Sequence, residues 1–162
     1  MTLYVEQRHY FDRSGNAIMQ VSSPEEAFPE LGTVANPAVI YDGNDAFVCY
    51  EASARAGGGN VVIKFGEVID FRITPMSVER LKDCRYPVNP WTINEVLEGA
   101  EATDWKALNP RFWLISFNDI TIEVLFETVS LVSRDAKSGS PRTTLIGTLL
   151  ELNRGGSRQV LQ

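Results

Sequence analysis

The chain has few of the residues that build metal centres and disulfide frameworks. It contains one histidine and two cysteines among 162 residues. Structural zinc sites use several closely spaced Cys and His ligands, and neither Cys49 nor Cys84 belongs to such a motif. A zinc or iron site built on histidine would need more than His9. The sequence therefore predicts no bound metal and no disulfide.

Signals for phosphate-binding loops and membrane helices are also missing. Gly57-Gly58-Gly59 lacks both the Lys-Ser/Thr ending of a P-loop and the spacing of a dinucleotide-binding loop, so we expect no cofactor. No stretch approaches the roughly 20 apolar residues that a membrane helix needs. Residues 1–10 lack the apolar core of a signal peptide. These absences favour a cytoplasmic protein that does not bind membranes.

Basic charge is scarce in this chain. The sequence has 15 Lys and Arg against 21 Asp and Glu, which gives a formal net charge of −6. Because an acidic surface repels phosphate and the basic residues form no cluster, we expect no nucleic-acid partner. Negative charge keeps a protein soluble, and it also suits a basic protein partner.

Alternating hydrophobic residues are abundant and predict strands. Across residues 61–73 the pattern is that of a strand with one buried face. One parity holds Val61, Ile63, Phe65, Ile69, Phe71 and Ile73, and the other holds Lys64, Asp70 and Arg72. Residues 38–51 predict a hairpin around the turn Asp42-Gly43-Asn44-Asp45. Residues 2–11 and 17–21 predict a further pair of strands.

The clearest predicted element is a hairpin over residues 111–128. A two-residue turn at Asn118-Asp119 pairs Trp113 with Val124 and places apolar side chains on one face throughout. Asn and Asp tolerate the left-handed conformation, so we expect a type I′ turn.

Helix signals are short and interrupted. Ser23-Pro24-Glu25-Glu26 and Thr92-Ile93-Asn94-Glu95 both have the pattern of a capping box, in which a glutamate three residues after the cap closes the helix start. They predict one or two turns ending near Gly32 and a helix ending at Gly99. Short helical segments are also predicted at residues 76–81 and 104–108, and the ambiguous residues 143–152 are assigned to a strand.

These elements predict one α+β domain. We expect a mainly antiparallel sheet of about six to eight strands with two to four short helices packed on one face. The domain is predicted to span residues 1–152, and residues 153–162 are predicted to form a polar, flexible C-terminal tail.

Two groups of residues are candidates for a binding surface. Four acidic residues recur every three positions and indicate either a solvated face or a patch that docks a basic partner. Apolar side chains on the outer face of the 111–128 hairpin must be covered by the short helices, by a partner or by a second copy of the chain. The candidates are Glu95, Glu98, Glu101 and Asp104 for charge, and Phe112, Leu114 and Leu125 for apolar contact.

Aromatic residues between positions 86 and 105 suggest an alternative function. Tyr86, Trp91 and Trp105 are candidate walls of a cleft between the short helices and the sheet. Asp83, Cys84 and Arg85 would supply its polar groups. The alternative is thus a small-molecule-binding protein or an enzyme, although no catalytic constellation is evident.

The general character of the chain resembles that of small bacterial accessory proteins, including immunity proteins that neutralise a toxin. Such proteins can also be acidic, single-domain and α+β, without catalytic motifs. The resemblance implies a non-catalytic protein-binding domain of the immunity, inhibitor or assembly-subunit type. We expect it to act through an acidic and partly apolar surface, on a basic protein partner or by self-association.

Overall fold

A computed structural model describes residues 8–11, 17–97, 100–135 and 139–156, and in these ranges the chain forms one antiparallel sheet with helices on one side. The strands are β1 (Arg8–Phe11), β2 (Ala17–Ser22), β3 (Ala38–Tyr41), β4 (Ala46–Glu51), β5 (Asn60–Pro75), β6 (Ile93–Val96), β7 (Arg111–Ser116) and β8 (Ile120–Asp135). The helices are α1 (Ala100–Thr103) and α2 (Pro141–Gly156), with 3-10 turns at Ala54–Ala56, Val78–Asp83 and Lys106–Leu108.

The eight strands lie in the order β1-β2-β6-β7-β8-β5-β4-β3, and every pair is antiparallel. The long strands β5 and β8 form the centre of the sheet. Their inward-facing side chains, with those of β4 and β7, make the main core. The predicted α+β class with a mainly antiparallel sheet is confirmed.

The sheet curls around this core. Tyr50 on β4 and Phe117 at the end of β7 are three strand spacings apart, which is about 14 Å in a flat sheet. Their ring centroids are nevertheless only 6.5 Å apart. The concave side, which we call the inner face, therefore holds the aromatic cluster of Phe65, Trp113 and Phe126, whose rings meet edge to face.

Residues 23–37 cross the open side of the inner face as a strap. Phe28 packs edge to face on Trp113, with ring centroids 5.8 Å apart. The Tyr50 hydroxyl donates a 2.7 Å hydrogen bond to the carbonyl of Pro29, and Leu31 forms a bridge to Ala52. The strap thus closes the main core with main-chain hydrogen bonds and a few apolar side chains.

Both regular helices lie on the opposite, outer face. Leu145 of α2 packs on Cys49 and Val62, which point away from the main core. Ala102 of α1 packs on a second outer cluster that includes Phe112. Cys49 is fully buried, and burial raises the pKa of its thiol to about 11.

The predicted hairpin at residues 111–128 is confirmed in its register, because Trp113 pairs with Val124 and Ser116 with Thr121. The predicted turn type is wrong. Neither Asn118 nor Asp119 has a positive φ, so the turn is not type I′. Tertiary hydrogen bonds hold Asp119 instead, since its carboxylate accepts from the side chain of Asn36 and its carbonyl from another loop.

The two helices predicted from capping boxes are absent. Residues 23–30 form no helix, and Ile93–Val96 form strand β6 between β2 and β7. In both cases the glutamate expected to cap the helix start, Glu26 or Glu95, binds the guanidinium of Arg111. The tertiary ion pairs and the strand pairing therefore outweigh the local preference of these residues for a helix.

The assignment of residues 143–152 to a strand is also wrong, because α2 runs from Pro141 to Gly156. Ser140 provides the cap, accepting a hydrogen bond at its Oγ from the backbone N–H of Thr143. Pro141 occupies the first helical position, where its missing N–H costs nothing. The helix also passes residue 152, where the flexible tail was predicted to begin.

The remaining helical predictions hold only as short 3-10 segments of three and six residues. The segment predicted at residues 76–81 is a 3-10 helix at Val78–Asp83, and the one at residues 104–108 is a 3-10 turn at Lys106–Leu108. The predicted strand residues 2–7 and the tail residues 157–162 lie outside the described ranges.

Trp113 and Trp105 provide a matched test of this core. Trp113 is completely buried, whereas 48% of the surface of Trp105 is exposed. Trp113→Ala should lower the free energy of unfolding by about 3–5 kcal/mol, because it removes a large apolar side chain and leaves a cavity. Trp105→Ala should change it by less than about 0.5 kcal/mol. Urea denaturation followed by far-UV circular dichroism measures both, and equal losses would contradict this arrangement of the core.

Candidate functional site

The outer face of β6–β8 is covered by the chain itself. The covering consists of residues 76–92 and 100–110, which we call the connector. It packs Tyr86 on Phe112 with ring centroids 5.6 Å apart, and Val88 and Ala102 join the same cluster. The candidate contact residues Phe112, Leu114 and Leu125 consequently retain only 3%, 0% and 2% of their exposure. They are core residues, so a partner does not reach them in this structure.

Two candidate site residues, Tyr86 and Glu101, hold the connector together. The buried Tyr86 hydroxyl donates a hydrogen bond to the carboxylate of Glu101, and Arg85 binds the other carboxylate oxygen at 2.8 Å. Burial, followed by the contact with Glu101, raises the pKa of the Tyr86 hydroxyl. Glu101 is therefore engaged with the chain's own residues and is only in part available to a partner.

A second acid, Glu123 on β8, faces this group from the sheet. It is half-buried, and Arg72 lies 3.8 Å from its carboxylate. Loss of solvent is the main reason that the pKa of Glu123 is raised, and the neighbouring charges of Glu101 and Asp70 add to the shift. The sequence analysis did not select Glu123 as a candidate, because its proximity to Glu101 depends on how the connector packs on the sheet.

Glu95, the first of the four regularly spaced acidic residues, forms an ion pair within the fold. The guanidinium of Arg111 donates to both oxygens of Glu95, at 2.7 and 2.8 Å, and to both oxygens of Glu26. The same guanidinium lies 5.1 Å from the ring centroid of Trp113. Arg111 therefore joins the strap, β6 and β7 with charge-assisted bidentate bonds.

The exposed part of the predicted surface is Asp104 and Trp105. Trp105 and Leu108 are three residues apart in the 3-10 turn, where the Leu108 N–H donates to the Trp105 carbonyl at 2.8 Å. Trp105 is the N-cap residue of this turn and Leu108 is its last residue, so both belong to one short loop. Both are about half exposed. Glu98 lies outside the described residues.

Trp91 is separated from the other two aromatic candidates. It packs against the main core on the inner face, whereas Tyr86 is buried on the outer face and Trp105 is exposed. Trp91 has a φ of +52°, an unusual value for a non-glycine residue. The three aromatic side chains therefore do not wall one cleft.

A shallow depression lies on the connector. It has a volume of about 370 Å³ and is lined by Leu81, Lys82, Cys84, Arg85, Tyr86, Pro87, Val88 and Asn89. Of the predicted cleft residues it contains Cys84, Arg85 and Tyr86. The side chains offer two cations, one thiol and several apolar surfaces, but no histidine or carboxylate to act as a general base.

In the described ranges, no group of three or more His, Cys, Asp or Glu residues is arranged to hold a metal ion. Within the same ranges, no helix has the length and apolar character required to cross a membrane. Comparison with protein-family models, with curated proteins and with solved structures finds no match to this chain. The geometry of its surface is thus the basis for any functional argument.

The Arg111 cluster predicts a specific pH dependence of stability. The hydrogen bond from Arg111 is the largest cause that lowers the pKa of Glu26 from its ordinary value of 4.5. A carboxylate with a lowered pKa stabilises the fold above its unfolded pKa and loses this effect as the pH falls through the folded value. Glu26→Gln should therefore cost about 1 kcal/mol near pH 7, as part-exposed ion pairs do, and progressively less as the pH falls below 4.5 towards pH 3.

Glu123 is the matched contrast, because its pKa is shifted in the opposite direction. A carboxyl group whose folded pKa is raised disfavours the fold once it ionises. Glu123→Gln should therefore leave stability unchanged at pH 3 and not lower it at pH 7. Urea denaturation from pH 3 to pH 8 measures both variants. A Glu26→Gln deficit that stayed constant across this range would contradict the ion pair as its cause.

Proposed function

We propose that this chain is a non-catalytic protein-binding domain of the inhibitor, immunity or assembly-subunit type, and that its contact surface is the turn at residues 104–108. The observation that carries the proposal is the half-exposed pair of Trp105 and Leu108. The described chain buries its other tryptophans in whole or in part, but it leaves this one on the surface.

The energetics of interfaces support this choice. Tryptophan is among the residues most enriched at the centres of protein interfaces, where a few buried aromatic side chains supply most of the binding energy. An exposed tryptophan beside a leucine gains free energy when a partner excludes water from both. The short turn that presents them is fixed by main-chain hydrogen bonds at Leu108 and Asn109, so little ordering entropy is lost on binding.

Charge favours a basic partner. The exposed Asp104 and Lys106 flank Trp105 and offset each other, so the negative potential comes from the whole chain, which carries a formal charge of −6. Negative potential at the rim of an apolar contact speeds association with a basic protein and excludes acidic ones. The partner surface would therefore present an apolar pocket for Trp105, with Lys or Arg at its rim.

The surface differs in part from the one predicted by the sequence. Asp104 and Trp105 remain in it and Leu108 joins them, whereas Glu95 and the three outer-face hydrophobic residues are occupied within the fold. A second exposed leucine, Leu131 on β8, offers a control because it is as exposed as Trp105 but lies on another element.

Capture from a lysate of the native cells tests the proposal. The wild-type protein and Leu131→Ala should retain the same stoichiometric basic protein, and Trp105→Ala should lose it, with an affinity reduced by roughly 30-fold for a side chain worth about 2 kcal/mol. Asp104→Lys should slow association and weaken its dependence on salt.

Two results would count against this function. One is a monomeric protein that captures no stoichiometric partner at low salt. The other is a partner that binds wild type and Trp105→Ala with the same affinity in isothermal titration calorimetry, because the turn would then lie outside the interface. Circular dichroism of Trp105→Ala confirms that the variant is folded.

A further inference from the structure

The depression at residues 81–89 is lined by basic and not by acidic side chains, although the chain as a whole is acidic. Its local sequence, residues 79–85, contains three cations and two carboxylates, while the whole chain has a net charge of −6. Two of the cations, Lys82 and Arg85, line the depression, and none of its lining residues is acidic. A small anion would therefore find its most favourable place on the described connector here.

Contacts with Glu101 and Tyr86 fix the position of the Arg85 guanidinium. Its Nη1 atom is 2.8 Å from a Glu101 oxygen, and its guanidinium lies over the ring of Tyr86 at 5.5 Å from the centroid. A guanidinium has five N–H donors, and the Glu101 contact uses one edge of it. The exposed edge can therefore donate to a second anion without a change of conformation.

Lys82 provides a second charge without a competing partner. It is exposed, and no carboxylate in the described ranges forms an ion pair with it. An anion bound between Lys82 and Arg85 would be stabilised by both cations, whereas a single exposed cation contributes little free energy to binding.

Apolar side chains complete the depression. Leu81 and Tyr86 are buried, and Val88 is half-buried beside them. The loop that carries these residues is fixed by hydrogen bonds from the Cys84 N–H to the Leu81 carbonyl and from the Val88 N–H to the Tyr86 carbonyl. This is the usual composition of a small-molecule site, namely apolar walls with a few fixed polar groups.

We propose that this depression binds a small organic carboxylate with an apolar body, which places its carboxylate between Lys82 and Arg85 and its body against Leu81, Tyr86 and Val88. The volume of about 370 Å³ lies in the range of small-molecule pockets, about 300–1,000 Å³. The site is independent of the turn at residues 104–108, so either function can fail without the other.

The test uses 4-phenylbutyrate as the probe and its neutral amide, 4-phenylbutyramide, as the matched control. The backbone amide signals of residues 81–89 are followed by two-dimensional NMR on the full chain during titration. Phenylbutyrate should cause saturable shifts confined to this loop with a dissociation constant of about 1 mM or below, and the amide should bind at least about tenfold more weakly.

Variants separate the proposed site from general attraction of anions. Lys82→Met keeps the length of the side chain and removes its charge, and it should weaken phenylbutyrate binding about tenfold. Arg85→Gln should do the same. Arg72→Gln removes a cation that is equally exposed but does not line the depression, and it should leave the dissociation constant within about twofold.

Three results would overturn the proposal. They are no saturable shift up to about 10 mM phenylbutyrate, equal binding of the neutral amide, and equal effects of Lys82→Met and Arg72→Gln. Lys82 is exposed and makes no ion pair with a described residue, so Lys82→Met is expected to fold and gives a valid result even if Arg85→Gln disturbs the contact with Glu101.

Discussion

The fold depends on the guanidinium of Arg111. This group binds Glu26 on the strap and Glu95 on β6, and it lies over the ring of Trp113 in the main core. Its hydrogen bonds to Glu95 and Glu26 raise its pKa further, so it stays charged at every accessible pH. One side chain thus fixes the strap, an inner strand and the largest aromatic residue of the core relative to one another.

The curled sheet leaves only part of its surface for function, because the chain itself covers much of both faces. The strap closes the inner face and the connector and α2 close much of the outer face. Phe112 and Leu125 lie on the outer face of the sheet, where their hydrophobic side chains could have suggested a protein interface. In this structure they pack against the connector instead. The exposed tryptophan and the basic depression both lie on the connector, which carries less regular structure than the sheet below it, as binding segments commonly do.

The candidate site was predictable in its parts but not in its assembly. The sequence pattern predicted that the aromatic and acidic side chains of residues 83–108 lie between the sheet and short helices. The sequence could not indicate that Tyr86 is buried against Phe112, that Trp91 turns to the inner face, or that Glu101 is bound by Arg85. These outcomes depend on which face each segment covers, and residues far apart in sequence decide that.

The sequence by itself determined every strand except β6 and the register of the 111–128 hairpin, because a period of two and a two-residue turn leave one pairing that places the alternating apolar side chains on one face. Only the tertiary structure decided the helices. Glu26 and Glu95 carry the local pattern of helix caps, yet the bidentate bonds of Arg111 and the pairing of β6 with two neighbours stabilise extended backbone there. Residues 143–152 have the β-branched composition of a strand, yet the cap at Ser140 and the contact of Leu145 with Cys49 and Val62 stabilise a helix. A local preference of a few tenths of a kcal/mol per residue is smaller than these contacts, and the contacts exist only once the sheet has formed.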